Sequence, residues 1–348
     1  MEEKKLVSFY VTQKCGLSCS HCFGLGRDLF PDEELSGEDF CRVLDELPDI
    51  GVIRLLGGEC LCEWDKVLEI TRHASSLGKR TVILTNTELL NGERVRLLKE
   101  AGDCIIQVSC EGMGAVQDRV RGEGYFERVL WKVKLIREHS IRCNMVVTLT
   151  PHNIGQISDI YALAANLGIM KVVFSMVLNV NGRDGLQLSF GQFEKGIGEL
   201  AGALRDRGGR KPVQIGFSPL LANYLYACDN PWLRENCGAE IAEAFHRLKK
   251  CVHQGKFCLF PNGDVYPCPF LPYLNNPLPP AGNIRKQPVQ VIRRRIGEMF
   301  GRININDPEC NNCNFFRDCG GGCRARVYRD TGSLDGTDRG CPVRAARV

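Results

Sequence analysis

A chain of 348 residues, 44% hydrophobic and 25% charged, has the composition of a folded globular protein and room for one large domain and one small one. A net charge of +4 is too weak to argue for nucleic acid or a membrane surface, and no apolar run approaches the roughly 20 residues a bilayer span needs. The opening MEEKKLVSFYVTQ lacks the longer apolar core of a signal peptide, so a cytoplasmic address is expected. Nineteen cysteines in a reducing compartment point to metal rather than disulfides, at least where they cluster.

Strand and helix patterns alternate through the first half. LVSFYVT (6–12) reads as a strand, SGEDFCRVLDEL (36–47) as a helix with Ser36 at its N-cap, and GVIRLL (51–56) as a strand. A helix follows through WDKVLEITRHASSL, then strand RTVILT, helix GERVRLLKEA, strand CIIQVS and helix YFERVLWKVKLIREH. Strand RCNMVVTLT, helix ISDIYALAANLG and strand KVVFSMV complete the series. Six such repeats with short connections predict an α/β fold with a parallel sheet, open or partly closed as a barrel, whose ligands gather at the carboxyl ends of the strands. The turn-rich NVNGRDG ends this region, and FGQFEKGIGELAGALRDRG reads as a connecting helix. From Cys251 the chain is rich in Cys, Gly and Pro with little periodicity, which predicts a segment held together by bound metal more than by an apolar core. The expected organisation is therefore 1–180, a bridge 181–250, and 251–348.

Immediately after the first predicted strand comes KCGLSCSHCF, with Cys15, Cys19 and Cys22 spaced Cys-x3-Cys-x2-Cys. A tetrahedral site wants four protein ligands, so either a distant residue or His21 completes a zinc site, or one position is left open for a cofactor. The spacing, the place in the chain and the aromatic Phe23 resemble the signature of the radical S-adenosylmethionine (radical SAM) superfamily. That resemblance covers about residues 7–180 and implies a partial (β/α)6 TIM-like barrel. It also implies a [4Fe-4S] cluster whose open iron binds the amine and carboxylate of SAM, with reductive cleavage to a 5′-deoxyadenosyl radical that takes a hydrogen atom from substrate. Gly57, Gly58 and Glu59 in LLGGECL are similar to the family's Gly-Gly-Glu segment beside the SAM amine. Asn86 closes the third strand, and Ser109 closes the fourth in VSCEG, where Glu111 replaces the family's usual aspartate. With Arg121 in DRVRGEGYF, these residues are candidates for holding SAM.

A second cysteine array lies toward the end: Cys251, Cys258 and Cys268, then Cys310, Cys313, Cys319, Cys323 and finally Cys341. It resembles the SPASM extension of radical SAM enzymes, and the resemblance covers about residues 251–341. By that resemblance Cys251, Cys258, Cys268 and Cys323 hold one auxiliary four-iron cluster, and Cys310, Cys313, Cys319 and Cys341 a second. Interleaved zinc sites are the alternative that Cys-x2-Cys spacing alone allows. Pro269 stands where sulfatase-maturing members carry a basic aspartate, which argues against a formylglycine-forming reaction.

Eight cysteines fall outside both arrays. Cys41, Cys104 and Cys143 lie within helix or strand patterns and read as packing residues; Cys60 and Cys62 follow Glu59; Cys110 follows Ser109. Cys228 and Cys237, in CDNPWLRENCG, are candidate hydrogen-atom donors to a substrate radical. The resemblance implies modification of a ribosomally made peptide or protein by crosslinking, epimerisation or oxidation. A flavodoxin- or ferredoxin-type electron donor would serve it; with only about a dozen residues before the first cluster ligand, a leader peptide is expected to need a separate leader-binding protein or a surface of the barrel itself. Dehydrogenation or rearrangement of a sugar or other small metabolite is the alternative, and an iron–sulfur carrier or zinc scaffold the reading from another class.

Overall fold

The computed structural model describes residues 5–24, 29–30, 33–178, 185–205, 213–218, 221, 241, 244 and 256–341. The chain divides into two compact units, one of Met1–Ser109, Glu127–Asn144 and His253–Arg302, the other of Cys110–Phe126, Met145–Val252 and Ile303–Val348. Among the described residues no helix is long and apolar enough to cross a membrane.

In the first unit β1 (Lys5–Tyr10), β2 (Ile50–Leu56), β3 (Arg80–Thr85) and β4 (Cys104–Ser109) pair in parallel and in that order. Parallel neighbours need crossovers, and α1 (Gly37–Asp45), α2 (Trp64–Ser76) and α3 (Gly92–Ala101) supply them. Ser36 caps α1 as expected: its side chain accepts from the Asp39 amide while Asp39 reaches back to the Ser36 amide, a reciprocal capping box. The strands contribute buried apolar residues that include Val7, Phe9, Ile53, Leu55, Ile83, Ile106 and Val108. α5 (Tyr125–Glu138) and β5 (Arg142–Leu149) follow the short helix α4 (Ala115–Arg121). The sequence pattern gave no hint of α4, which is about two turns long and bounded by glycines.

The second unit contains β6 (Lys171–Met176) paired in parallel with β7 (Gln214–Phe217), α6 (Ile157–Asn166) and α7 (Phe190–Arg205), whose Phe193, Ile197, Leu200 and Leu204 are buried.

One expectation is corrected. Residues 256–302 build a substantial core within the first unit. β8 (Cys258–Leu259) pairs in parallel with β1, and β9 (Asp264–Tyr266) and β10 (Gly282–Asn283) extend the sheet antiparallel. α8 (Val289–Gly301) buries Val289, Ile292, Ile296 and Phe300, a helical stripe interrupted to the eye by three consecutive arginines. Arg293 pairs with Asp49, and the Val289 amide donates to Glu46, so α8 is tied to the chain around α1. By contrast, residues 303–341 hold only one-turn helices (Pro308–Asn311 and Phe316–Cys319) and α9 (Arg324–Thr331).

Candidate active site and cysteine centres

β1 delivers the chain to the sheet's carboxyl edge, where two polar residues, Thr12 buried and Gln13 half-buried, fix the loop that follows. Thr12 Oγ1 donates to Glu34 (2.7 Å) and accepts from the Lys14 amide (3.1 Å). The Gln13 side chain bridges the far end of the loop, donating to the Phe30 carbonyl (3.0 Å) and accepting from the Leu29 amide (3.2 Å). Between these ties lie Cys15, exposed, Cys19, buried, and Cys22, half-buried, with the Cys22 amide donating to the Cys19 carbonyl (3.0 Å).

The Gly57-Gly58-Glu59 segment, at the end of β2, is locked to this loop. The Gly58 amide donates to the Thr12 carbonyl (2.9 Å) and the Glu59 amide to the Lys14 carbonyl (2.7 Å). A Cβ on Gly57 would strike the Thr12 carbonyl oxygen, and one on Gly58 those of Gln13 and Lys14. Only glycine permits the two backbones to lie this close. Glu59 is 2% exposed, and its carboxylate accepts from the Leu61 amide (3.1 Å) and the Asn86 amide (2.7 Å). Asn86 in turn points its Nδ2 at Cys15 Sγ, 3.9 Å away. Cys15, Glu59 and Asn86 are thus linked to one another and to the glycine pair by hydrogen bonds. Ser109 ends β4 in the same unit, half-buried.

Arg121 belongs to the other unit, where Glu111 grips it in a two-pronged pair at 2.6 and 2.9 Å, with side chains 8% and 2% exposed. The Glu111 amide and carbonyl are held by Gln117 and Asn153. Glu111 therefore anchors Arg121, a role that a shorter aspartate at this position would have to reach further to fill. Sequence reasoning passed over Asn144 on β5, buried, whose Oδ1 accepts no hydrogen bond among the described residues. A buried orphan acceptor is a place for a ligand's donor, but a single polar residue in a strand gives no signal in sequence.

Cys60 follows Glu59 in a turn of 3₁₀ helix and is fully buried; burial and the neighbouring carboxylate push its thiol well above the ordinary range, and its Sγ donates to the Leu84 carbonyl (3.2 Å). Cys62, two residues on, is exposed. Cys41, Cys104, Cys110 and Cys143 are buried, with burial raising each thiol to about 11 or 12. Such thiols pack and do not react.

The second array is divided. Cys258, buried in β8 opposite Tyr266, and Cys268, half-buried, stand in the first unit. Cys323 stands in the second, and Cys251, Cys228 and Cys237 lie outside the described residues. Cys310, Cys313, Cys319 and Cys341 share the second unit. Burial, then the Cys341 and Cys310 thiols, raise Cys319 to about 12, which places three of the four in one electrostatic neighbourhood. Three glycines with φ of 62, 78 and 90° curl the backbone from Cys319 to Cys323. Asp338, 1% exposed, then fastens both cysteine segments: its carboxylate accepts from the Cys323 and Gly340 amides (both 3.0 Å) and from Arg326, and its carbonyl accepts from the Cys341 amide (3.1 Å).

Among the described residues no three His, Cys, Asp or Glu side chains close on one point as a single ion requires. The thiols of an iron–sulfur cluster stand farther apart, each on its own iron. Three thiols on one pinned loop, a side-chain amide aimed at the first of them and a tightly apposed glycine pair fit such a group.

Residues 9–164 match the model of the radical SAM superfamily, and residues 251–314 that of the SPASM iron–sulfur cluster-binding domain. The chain is 31% identical to an AdoMet-dependent heme synthase of Methanosarcina barkeri, covering 94% of this chain and 93% of that protein. It is 26% identical to the Fe-coproporphyrin III synthase of the same organism (98% and 88% covered) and 25% identical to the PqqA peptide cyclase of Bradyrhizobium diazoefficiens (96% and 84%). In fold it resembles Streptococcus suis SuiB bound to its precursor peptide SuiA, with a TM-score of 0.77 at 17% identity over 97% of this chain and 76% of that one. It also resembles anSMEcpe with bound AdoMet, with a TM-score of 0.73 at 16% identity over 98% and 95%.

Proposed function

The chain belongs to the radical SAM superfamily and carries a SPASM iron–sulfur domain, and on that premise we propose that it abstracts a hydrogen atom from a peripheral side chain of a tetrapyrrole. The observation that carries this reading is the end-to-end match to the heme synthase, at 31% identity across 94% of this chain and 93% of that one. The Fe-coproporphyrin III synthase, covered to 88%, has a product of the same chemical class. Heme and coproporphyrin differ in their peripheral side chains, which is where radical chemistry on such a ring would act.

Cys15, Cys19 and Cys22 would hold the SAM-binding four-iron cluster, and Gly57, Gly58, Glu59 and Asn86 would hold SAM, joined by Ser109 and Arg121. When bound, that pair supplies the 5′-deoxyadenosyl radical. The chain's own part is to keep the loop in place through Thr12 and Gln13, and to present Glu59 as a pre-oriented acceptor for an ammonium group. Cys251, Cys258, Cys268 and Cys323, and Cys310, Cys313, Cys319 and Cys341, would hold two auxiliary clusters, supplied with electrons by a flavodoxin- or ferredoxin-type donor. Cys228 and Cys237 remain the proposed hydrogen donors.

A second reading is modification of a ribosomally made peptide, with a separate leader-binding protein. It is favoured by the 25% identity to the PqqA peptide cyclase over 96% of this chain. The two separate in one experiment. Anaerobically reconstituted protein is given SAM, dithionite and Fe-coproporphyrin III, or a candidate precursor peptide encoded beside it. The expected result is a perturbed Soret band on binding and a mass change in the porphyrin that tracks 5′-deoxyadenosine. Deoxyadenosine without any change in the tetrapyrrole, and coupled instead to a peptide mass change, would overturn the first reading in favour of the second.

A further inference from the structure

The opening triad and the Cys258–Cys268 pair meet, within the first unit, across a seam of aromatic rings. Phe23, directly after Cys22, packs edge-on against Phe270 (centroids 5.0 Å apart) and against Tyr273 (4.9 Å). Phe270 is two residues past Cys268, and the Tyr273 amide donates to its carbonyl (3.0 Å). From the other side Tyr10, the last residue of β1, stacks on Phe260 at 4.5 Å, and Phe260 is two residues past Cys258. Phe260 also meets Tyr266 (5.3 Å) and Tyr273 (6.3 Å), while Phe30 meets Phe260 (4.7 Å) and Tyr273 (6.2 Å). Tyr273 is the ring that touches both halves. The Gly24 backbone lies against it as well, since a Cβ there would sit 3.5 Å from Tyr273 Cε1.

Apolar packing alone does not ask for a tyrosine. Burying a hydroxyl costs about 1–3 kcal/mol unless it finds a partner, and phenylalanine fills the same space without that cost. Tyr273 is only 6% exposed. Its hydroxyl lies over the Gly24 backbone, two residues past Cys22, where a Cβ would sit 3.9 Å from the phenol oxygen, and the Cys22 and Cys258 thiols, one from each cysteine set, share its electrostatic surroundings. An O–H donor beside cluster thiolates tunes the potential of an iron–sulfur centre.

We propose that Tyr273 is a positioning residue shared by two iron–sulfur centres, its ring clamping the Cys22 end of the opening loop through Phe23 and its hydroxyl setting the polarity beside Cys22 and Cys258. The proposal rests on the assignment of Cys258 and Cys268 to an auxiliary centre and is independent of the substrate.

The test uses anaerobically reconstituted holoprotein without SAM or substrate, as wild type, Tyr273→Phe and Tyr273→Leu. Iron and sulfide per chain are measured, and each centre's midpoint potential is taken from an EPR-monitored redox titration. Tyr273→Phe keeps the ring and loses the donor. It should bind wild-type iron while both the SAM-site centre and the auxiliary centre move to more negative potential, because the lost hydrogen bond favoured the more negatively charged, reduced state. Tyr273→Leu should show the same shifts and also retain less iron. Unchanged potentials in Tyr273→Phe overturn the role of the hydroxyl, a shift confined to one centre overturns the sharing, and full iron in Tyr273→Leu overturns the clamp. Wild-type protein with a single EPR-active centre would remove the auxiliary assignment itself, an outcome visible before either variant is made.

Discussion

The opening cysteine loop and the cysteines of residues 303–341 are built on opposite plans. The first hangs from a buried parallel sheet: Thr12, Gln13, Gly57 and Gly58 fix its ends through backbone and side-chain bonds that need no metal. The second has one-turn helices, a run of left-handed glycines and a polar fastening at Asp338. Its small buried cluster sits on α9, where Ala325, Val327 and Tyr328 lie beside two buried guanidinium groups. Arg324 donates to the Leu334 and Gly336 carbonyls, and Arg326 pairs with Asp338 with side chains 8% and 1% exposed. A sheet edge can present an open metal position because the sheet carries the shape. A segment with so few apolar contacts must take its shape from what it binds.

The largest effect should come from removing the open site. Replacing Cys15, Cys19 and Cys22 together by Ala should abolish 5′-deoxyadenosine formation, while the chain stays folded and keeps its auxiliary iron. Iron analysis and circular dichroism on the purified variant, beside the cleavage assay, check this. Continued cleavage would break the comparison at its root, because the open position would then lie elsewhere.

Stripping iron from the wild-type protein should separate the two plans directly. Amides of 303–341 should lose protection against hydrogen exchange by about two orders of magnitude, roughly 3 kcal/mol, while those of 5–15 and 256–302 change little. Equal loss across 256–302 would mean that its apolar packing contributes less than the buried side chains indicate.

A third expectation sharpens the same boundary from within. Ile292→Ala empties a fully buried position on α8 and should cost about 2–5 kcal/mol in the first unit, measured by denaturant unfolding of the holoprotein. Were residues 256–302 held chiefly by metal, the same change would cost well under 1 kcal/mol.

Sequence carried some of this architecture openly and hid the rest. The strand–helix alternation, the Ser36 cap, the triad and the glycine pair are local signals, each complete within a few residues. The aromatic seam joins Tyr10 and Phe23 to Phe260, Phe270 and Tyr273, partners some 250 positions away that no local pattern connects. The apolar stripe of α8 was masked by Arg293, Arg294 and Arg295, and the segment's cysteines, glycines and prolines drew attention from it. Asp338 and Arg326 read as surface charges because a buried ion pair looks no different in sequence from a solvated one. Glu111 was noticed only as a departure from a pattern, and its grip on Arg121 required coordinates.

The smallest predicted change tests how tightly the sheet edge holds the open site. At Gly58 an added methyl meets two backbone carbonyls, those of Gln13 and Lys14, which cannot swing aside as a side chain would. The Gly58 and Glu59 amides bond to this same stretch, so the two segments must part together. Gly58→Ala should therefore cost about 1–3 kcal/mol of stability and displace Cys15 and Glu59 relative to each other. SAM cleavage should fall further than the stability loss accounts for, because Glu59 and the cluster loop must meet the same cofactor. Gly16→Ala is the control, since a Cβ there meets nothing within 4 Å; its stability and iron content should match wild type to within about 0.5 kcal/mol. If both variants bind iron and cleave SAM equally well, the close approach at Gly58 does not position the site, and the loop owes its shape to the cluster after all.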